Sequence, residues 1–216
     1  MIDYPDADAL HQASKLASAE EVEGYRADGG TANARLGIRD DVFRRRGSIR
    51  DFAPEPIPRD DLAAILAGAL GPIPLDVPPA IEFRLIANAV DGLERGAYRF
   101  GPPDGFELVR AGDFRTQAGY LVLEQMLGAL AAATTFAMAD LDAVLERHGN
   151  RGYRAVQLEA GIRVGRVYLA AFAHGLGATA STFYDDEVTA FLTPEEGLSP
   201  MLCVAVGSLP NPSRRR

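Results

Sequence analysis

The stretch from Asn150 to Asp186, NRGYRAVQLEAGIRVGRVYLAAFAHGLGATASTFYDD, decides how the rest of the chain is read. Apolar residues fall at Leu158, Ile162, Gly165, Leu169, Phe172 and Leu176, a three-and-four spacing that predicts one buried helix stripe. Arg154, Arg163 and Arg166 lie off that stripe. Ala160, Gly161 and Gly165 are small, so another backbone can approach closely. Glycine in mid-helix costs about 0.5–1 kcal/mol relative to alanine, so two of them imply a packing reason. The Gly161-x-x-x-Gly165 spacing also occurs in membrane helix pairs, but Arg163 and Arg166 argue against a span. Gly175 supplies a left-handed helix end. Ala178 to Phe183 reads as a strand, and Asp185 and Asp186 start another helix.

Composition narrows the classes. A chain of 216 residues with 47% apolar content buries a real core, as one domain or one domain with an arm. A net charge of −8 argues against a general nucleic-acid binder, which needs a basic face. Cys203 is the only cysteine, so one chain has no disulfide framework and no multi-cysteine metal site. The carboxylate pairs Asp60-Asp61 and Asp185-Asp186 read as helix starts, and no metal site is expected. No apolar run reaches the length of a membrane span, and the N-terminus lacks a signal-peptide core. The expectation is a cytoplasmic enzyme or binding protein.

Residues 1–36 read as an N-terminal arm, 37–208 as the main domain and 209–216 as a flexible tail. His11 to Tyr25 can form a helix, with Ser18 and Glu21 at capping-box spacing. A helix over Ile38 to Arg46 delivers the chain to Arg44-Arg45-Arg46-Gly47-Ser48-Ile49-Arg50-Asp51-Phe52. Those arginines have two readings. They sit at a helix end, where cations complement the dipole. If the segment is extended, Arg46, Ser48 and Arg50 instead point to one side, two guanidinium forks around a hydroxyl, which suits a phosphate monoester.

Asp60 or Asp61 is expected to cap a helix through Leu70 with Leu62, Ile65, Leu66 and Leu70 inward, followed by a proline-rich loop from Gly71 to Pro79. Ile81 to Ala89 alternates as a strand, and Gly96–Phe100 with Phe106–Arg110 reads as a hairpin across Pro102-Pro103-Asp104-Gly105. One helix is predicted over Phe114 to Leu130, a strand over Thr134 to Met138, and a helix from Asp140 to near Arg147. Met201 to Gly207 is fully apolar, the pattern of a central strand, which makes Cys203 a core residue. Neither a Walker A motif nor a Gly-x-Gly-x-x-Gly fingerprint is present.

Four blocks resemble the nitroreductase-like flavoproteins, and within them the SagB-type dehydrogenases linked to azoline oxidation in ribosomally made peptides. They are Ala9 to Leu16, Arg45 to Phe52, Gly149 to Arg154 running into Glu159-Ala160-Gly161, and Gly175-Leu176-Gly177 to Asp186 with the closing strand to Gly207. The resemblance implies an α+β fold, a central mostly antiparallel sheet flanked by helices, in an intertwined homodimer holding FMN at each interface. It assigns Arg46, Ser48 and Arg50 to the flavin ring and ribityl-phosphate side, and Ser181 and Thr182 to the N5 edge. It also implies a peptide or small-molecule substrate and a biosynthetic partner enzyme.

Several positions depart from that family pattern. Gly71 to Pro79 stands where a Ser-Ala-Gly loop is usual, and Arg147-His148 where a Lys-Tyr pair is usual. Ile162, Gly165 and Arg166 replace polar residues of the long helix, and Ser181-Thr182 replaces Gly-Gly. His148 is the candidate acid or base, with Arg147 beside it and Tyr153 positioning substrate; a plain helix-end histidine is the alternative. Two functions stay open, an FMN-dependent oxidoreductase and a flavin-less scaffold subunit of a biosynthetic pathway.

Overall fold

A computed structural model describes residues 4–25, 40–75, 77–101 and 105–210. The N-terminal part carries helices α1 (Pro5–Ala13), α2 (Ala19–Tyr25) and α3 (Asp40–Arg45). A short strand β1 (Ile57–Pro58) leads into α4 (Arg59–Leu70), then β2 (Glu82–Ala87), β3 (Val90–Asp91), β4 (Gly96–Gly101) and β5 (Gly105–Ala111). Two short helices, α5 (Arg115–Leu121) and α6 (Met126–Leu130), precede β6 (Ala133–Ala139) and α7 (Leu141–His148). The long α8 (Arg151–Ala173) is followed by β7 (Leu176–Ser181), α9 (Asp185–Leu192) and β8 (Ser199–Ser208).

Six strands form one antiparallel sheet in the order β5-β4-β2-β6-β8-β7, and β1 pairs with β3 apart from it. The central strands are buried on both faces, so β2 and β6 do not alternate with solvent as a one-sided sheet would. On one face Phe83, Leu85, Val204 and Val206 meet α4 and α8 through Leu62, Ile65, Leu66, Val156, Val164 and Val167. On the other, Ile86, Phe136, Cys203 and Ala205 meet α5 and α9 through Leu121 and Val188. Each fully buried Leu, Ile or Phe contributes roughly 1.5–3 kcal/mol over leaving it in water, so the two clusters make a self-sufficient core.

The sheet, the hairpin of β4 and β5, the Asp140 cap and the apolar final strand follow the sequence expectation. Asp140 Oδ1 accepts from the Ala143 amide at 2.9 Å. Gly175 takes a φ of 75°, the left-handed helix end its position required. Ser18 and Glu21 form the expected capping box, the Glu21 amide donating to Ser18 Oγ at 3.1 Å and the Ser18 amide to the Glu21 carboxylate at 3.2 Å.

Other expectations are corrected. The helix proposed for His11–Tyr25 is two helices, because the Ser18 cap starts the second one afresh. Neither Asp60 nor Asp61 caps α4; its N-cap is Pro58, and both aspartates lie in the first turn. The single helix expected over Phe114–Leu130 breaks into α5 and α6 at Leu123 and Glu124, whose φ values of 61° and 57° no helix accommodates. The strand placed at Ala178–Phe183 begins two residues earlier.

The largest correction concerns α8. The side turned inward carries Val156, Glu159, Ala160, Arg163, Val164, Arg166, Val167 and Ala171. The stripe expected to be buried is the outer one: Leu158 is 60% exposed, and Ile162, Gly165, Leu169 and Phe172 are only half-buried. The direction of the stripe within the helix was reversed, and its last member, Leu176, lies past the helix end in β7, where it is buried. The Gly29-Gly30 break, residues 38–39, the Pro102-Pro103-Asp104 turn, the boundary at 36–37 and the tail from 211 lie outside the described residues.

Candidate active site

β7 is the edge strand of the sheet, and the chain leaving α3 runs alongside it. Ser48 bridges Ala178 in a parallel sense, and the Ile49 amide donates to the Ala178 carbonyl at 3.0 Å. Gly177 and Gly207 make this seat possible. A Cβ on Gly177 would lie 2.9 Å from Ile49 Cγ1, and one on Gly207 2.8 Å from the Phe52 ring. The chain pairs with β7 at Ser48 and Ile49, while the Arg46 amide still donates to the Val42 carbonyl at 2.9 Å, so Arg46 closes α3 as the helix-end reading has it. Arg46, Ser48 and Arg50 are all exposed.

Tyr168 on α8 ties this segment to the sheet. Its Oη accepts from the Ala180 amide at 2.5 Å and lies 3.2 Å from Ser48 Oγ. Either hydroxyl of the Ser48–Tyr168 pair can donate to the other, and the contact fixes Ser48 against α8.

Beside this chain, Phe43 and Arg46 of the α3 side face Ile162, Gly165, Arg166, Tyr168 and Leu169 across a cavity of about 370 Å³. Arg166 is the charged residue of α8 that lines it. Arg163 Nε donates to Glu159 Oε1 at 2.6 Å, and Arg163 Nη1 donates to the Ala69 carbonyl at 3.0 Å. Arg166 donates to the carbonyls of Gly71 and Pro72 at 2.9 and 2.8 Å. Glu159 also accepts from the amides of Ala80 and Ile81 at 2.8 and 3.3 Å. These contacts pin both ends of the 71–79 loop onto α8.

Ser181, half-buried at the end of β7, accepts from Gln125 Nε2 at 3.0 Å, and Thr182 next to it is exposed. Beyond the single bridge at Ser48 the chain turns back, the Ala53 amide donating to the carbonyl of Ser208, which pairs with Leu176 at the start of β7. Ser48 thus lies beside β7, while Ser181 and Thr182 lie at and beyond its far end. His148, Arg147 and Tyr153 do not join them within the chain. They sit at the opposite end of α8; Tyr153 and Tyr168 are fifteen residues apart on one helix, about 22 Å at 1.5 Å per residue.

Burial, and then the neighbouring Arg147 charge, hold the His148 imidazole below its ordinary range, so it is neutral at neutral pH. The Tyr153 hydroxyl accepts from Gln157 Nε2 at 3.2 Å. Burial pushes the Cys203 thiol far up, which keeps it an unreactive core group. Sequence reading did not single out Tyr168 or a role for Arg166, whose partners Ser48 and Pro72 lie 120 and 94 residues away.

Comparison with known proteins supplies the family. A Methanocaldococcus jannaschii protein named as a nitroreductase is 30% identical over 180 residues, covering 78% of this chain and 89% of its own. The chain belongs to the nitroreductase family. No family model matches it. A crystal structure from Anabaena variabilis, also named as a nitroreductase, superposes with a TM-score of 0.72 at 28% identity over 79% of this chain. This nitroreductase-family chain spans only 38% of that protein's length. The Escherichia coli microcin synthetase McbBCD complex, solved with truncated pro-MccB17 bound, holds a chain of the same fold, with a TM-score of 0.62 at 16% identity over 97% of this chain and 95% of that one. Among the described residues no helix is long and apolar enough to cross a membrane.

Proposed function

We propose that this nitroreductase-family chain is an FMN-dependent oxidoreductase of the SagB type, working as a homodimer on a peptide or small natural-product intermediate. The observation that carries the reading is the cavity on the outer face of α8, lined by Arg46, Arg166 and Tyr168, with Ser48 Oγ 3.2 Å from the Tyr168 hydroxyl. The residues present fit the cofactor: guanidinium groups and an exposed hydroxyl suit a phosphate and the electron-rich edge of a flavin. Bound there, the flavin would supply the hydride chemistry. Arg46 and Arg50 would hold it by charge, Ser48 by its hydroxyl, and Ser181 and Thr182 would border the reacting edge.

The second copy completes the site. Leu158, Ile162 and Leu169 are uncovered on α8, and a Cβ on Gly161 or Gly165 would meet nothing within 4 Å. Two such faces crossing antiparallel would bring the His148 end of one α8 toward the Ser48 end of the other. His148, neutral at neutral pH, would then serve as acid or base beside substrate, with Arg147 and Tyr153 positioning it. The fold shared with a chain of the microcin synthetase complex favours a biosynthetic partner enzyme and a peptide substrate.

A flavin-less scaffold is the second reading, favoured by the 71–79 loop, which Arg163 and Arg166 clamp where the family pattern has a flavin-contacting Ser-Ala-Gly segment. Titration with FMN separates the two. Wild-type protein is expected to take up the cofactor and turn yellow. Arg46→Ala with Arg50→Ala is expected to weaken binding by at least a few kcal/mol, since hydrogen bonds to charged groups contribute roughly 1.5–3 kcal/mol each. A colourless wild-type protein that ignores added FMN would establish the scaffold instead.

A further inference from the structure

Away from α8, Tyr120, Met126 and Tyr184 are left uncovered, at 37%, 65% and 37% exposed. They belong to one place. A cavity of about 490 Å³ between α5 and α6 is lined by Tyr120, Glu124, Gln125 and Met126. That is a size that encloses a small ligand or a long side chain. The Tyr184 ring stands 5.4 Å from that of Tyr120 and is tilted to it by 41°. The cavity adjoins the candidate active site, because Gln125 Nε2 donates to Ser181 Oγ at 3.0 Å.

The charge around these rings is one-sided. Glu124 lines the cavity, and Glu187 bears on the Tyr120 hydroxyl both by charge and by hydrogen bond. The Glu187 charge first, and then burial, Tyr184 and Glu124, hold the Tyr120 phenol above its ordinary range, so both carboxylates act on one ring. Asp185 and Asp186 precede Glu187 in the first turn of α9. Arg115 also lines the cavity, but its guanidinium is engaged by the carbonyls of Ala129 and Asn88 at 2.6 and 3.3 Å, and its charge acts on Asp113. Among the described residues neither Glu124 nor Glu187 pairs with a cation.

Two carboxylates beside two phenol rings suit a cation with a flat apolar face. A guanidinium stacks on aromatic rings while its edge meets carboxylates. A bare metal ion would leave the rings and Met126 without a role. We propose that this cavity docks the arginine side chain of a peptide substrate and so holds the peptide beside Ser181. The oxidoreductase reading enters only in calling that peptide a substrate. A chain with a net charge of −8 also draws a basic peptide toward it.

The test titrates the full chain, by ligand-observed NMR, with an acetylated hexapeptide amide that is glycine and serine apart from one central arginine. The same peptide carrying citrulline, the uncharged isostere, is the second probe. Wild type is expected to bind the arginine peptide about tenfold tighter at low salt and to lose most of that margin in about 1 M salt. Glu124→Gln with Glu187→Gln is expected to bring the arginine peptide to the affinity of the citrulline one, whose own binding stays within about twofold of wild type. Tyr120→Leu is expected to weaken the arginine peptide about fivefold. All three positions are exposed, and the thermal midpoint checks that each variant folds. If Tyr120→Leu does not fold, the paired glutamate variant decides. Equal affinities for the two peptides in wild type, no binding of either, or a preference that survives the double substitution would overturn the site. FMN uptake is scored on the same samples. Arginine-selective binding by a protein that ignores FMN would keep the docking site and refute the redox reading; a yellow protein without peptide selectivity would do the reverse.

Discussion

Tyr168 joins two backbones that the sequence does not connect. Its hydroxyl accepts from the Ala180 amide and stands 3.2 Å from Ser48 Oγ. Arg46, Ser48 and Arg50 were legible as a cluster because their spacing is a local property. Tyr168 was not, since nothing near it in sequence says which backbone it meets. His148 was legible only as a histidine at a helix end; its low proton affinity comes from burial against the fold. That shift has a sign. The folded state holds the proton less tightly than the unfolded chain, so His148 costs no stability above about pH 6.5 and an increasing amount as pH falls below it. Urea midpoints measured from pH 7.5 down to pH 5 should fall less steeply for His148→Gln than for wild type. Parallel curves would show that His148 titrates alike in both states.

At the scale of elements, α8 holds the lesson. A three-and-four apolar pattern establishes that a helix forms and how its residues group, and both were correct as far as Phe172. It cannot say which group faces the sheet when the other group contains glycines, alanines and paired charges that also bury well. The inward side takes Arg163 because Glu159 stands one turn before it and the 69–72 carbonyls come to meet it. Glu159→Gln should leave two buried guanidinium groups without a counter-charge and cost about 3–5 kcal/mol in urea unfolding, far beyond an exposed helix pair. A loss below about 1 kcal/mol would mean that water or rearrangement satisfies them. The break between α5 and α6 was equally hidden. Leu123 and Glu124 adopt left-handed backbone that their own propensities oppose, so packing around Leu121 and Leu127 imposes it.

For the molecule as a whole, the uncovered stripe of α8 is the feature a single chain leaves unexplained. Leu158, the open glycines and the cavity occupy the same face. The second copy proposed above would account for all three. Gly161→Leu should leave each chain folded, because its Cβ meets nothing within the chain, yet keep two helices apart. Light scattering should then give the mass of two chains for wild type and of one for the variant. A wild-type mass of one chain would refute the dimer, and a dimeric variant would move the contact away from Gly161.

The sequence alone determined the strands of the sheet, most of the helices and the caps at Ser18, Asp140 and Gly175, because each depends on neighbours within a few residues. Only the tertiary structure decided which side of α8 is buried, that Arg166 lines a cavity, and that His148 and Ser48 lie at opposite ends of one helix. Those outcomes depend on which distant backbone carbonyls and hydroxyls arrive to satisfy a buried charge, and periodicity along the chain carries no record of them.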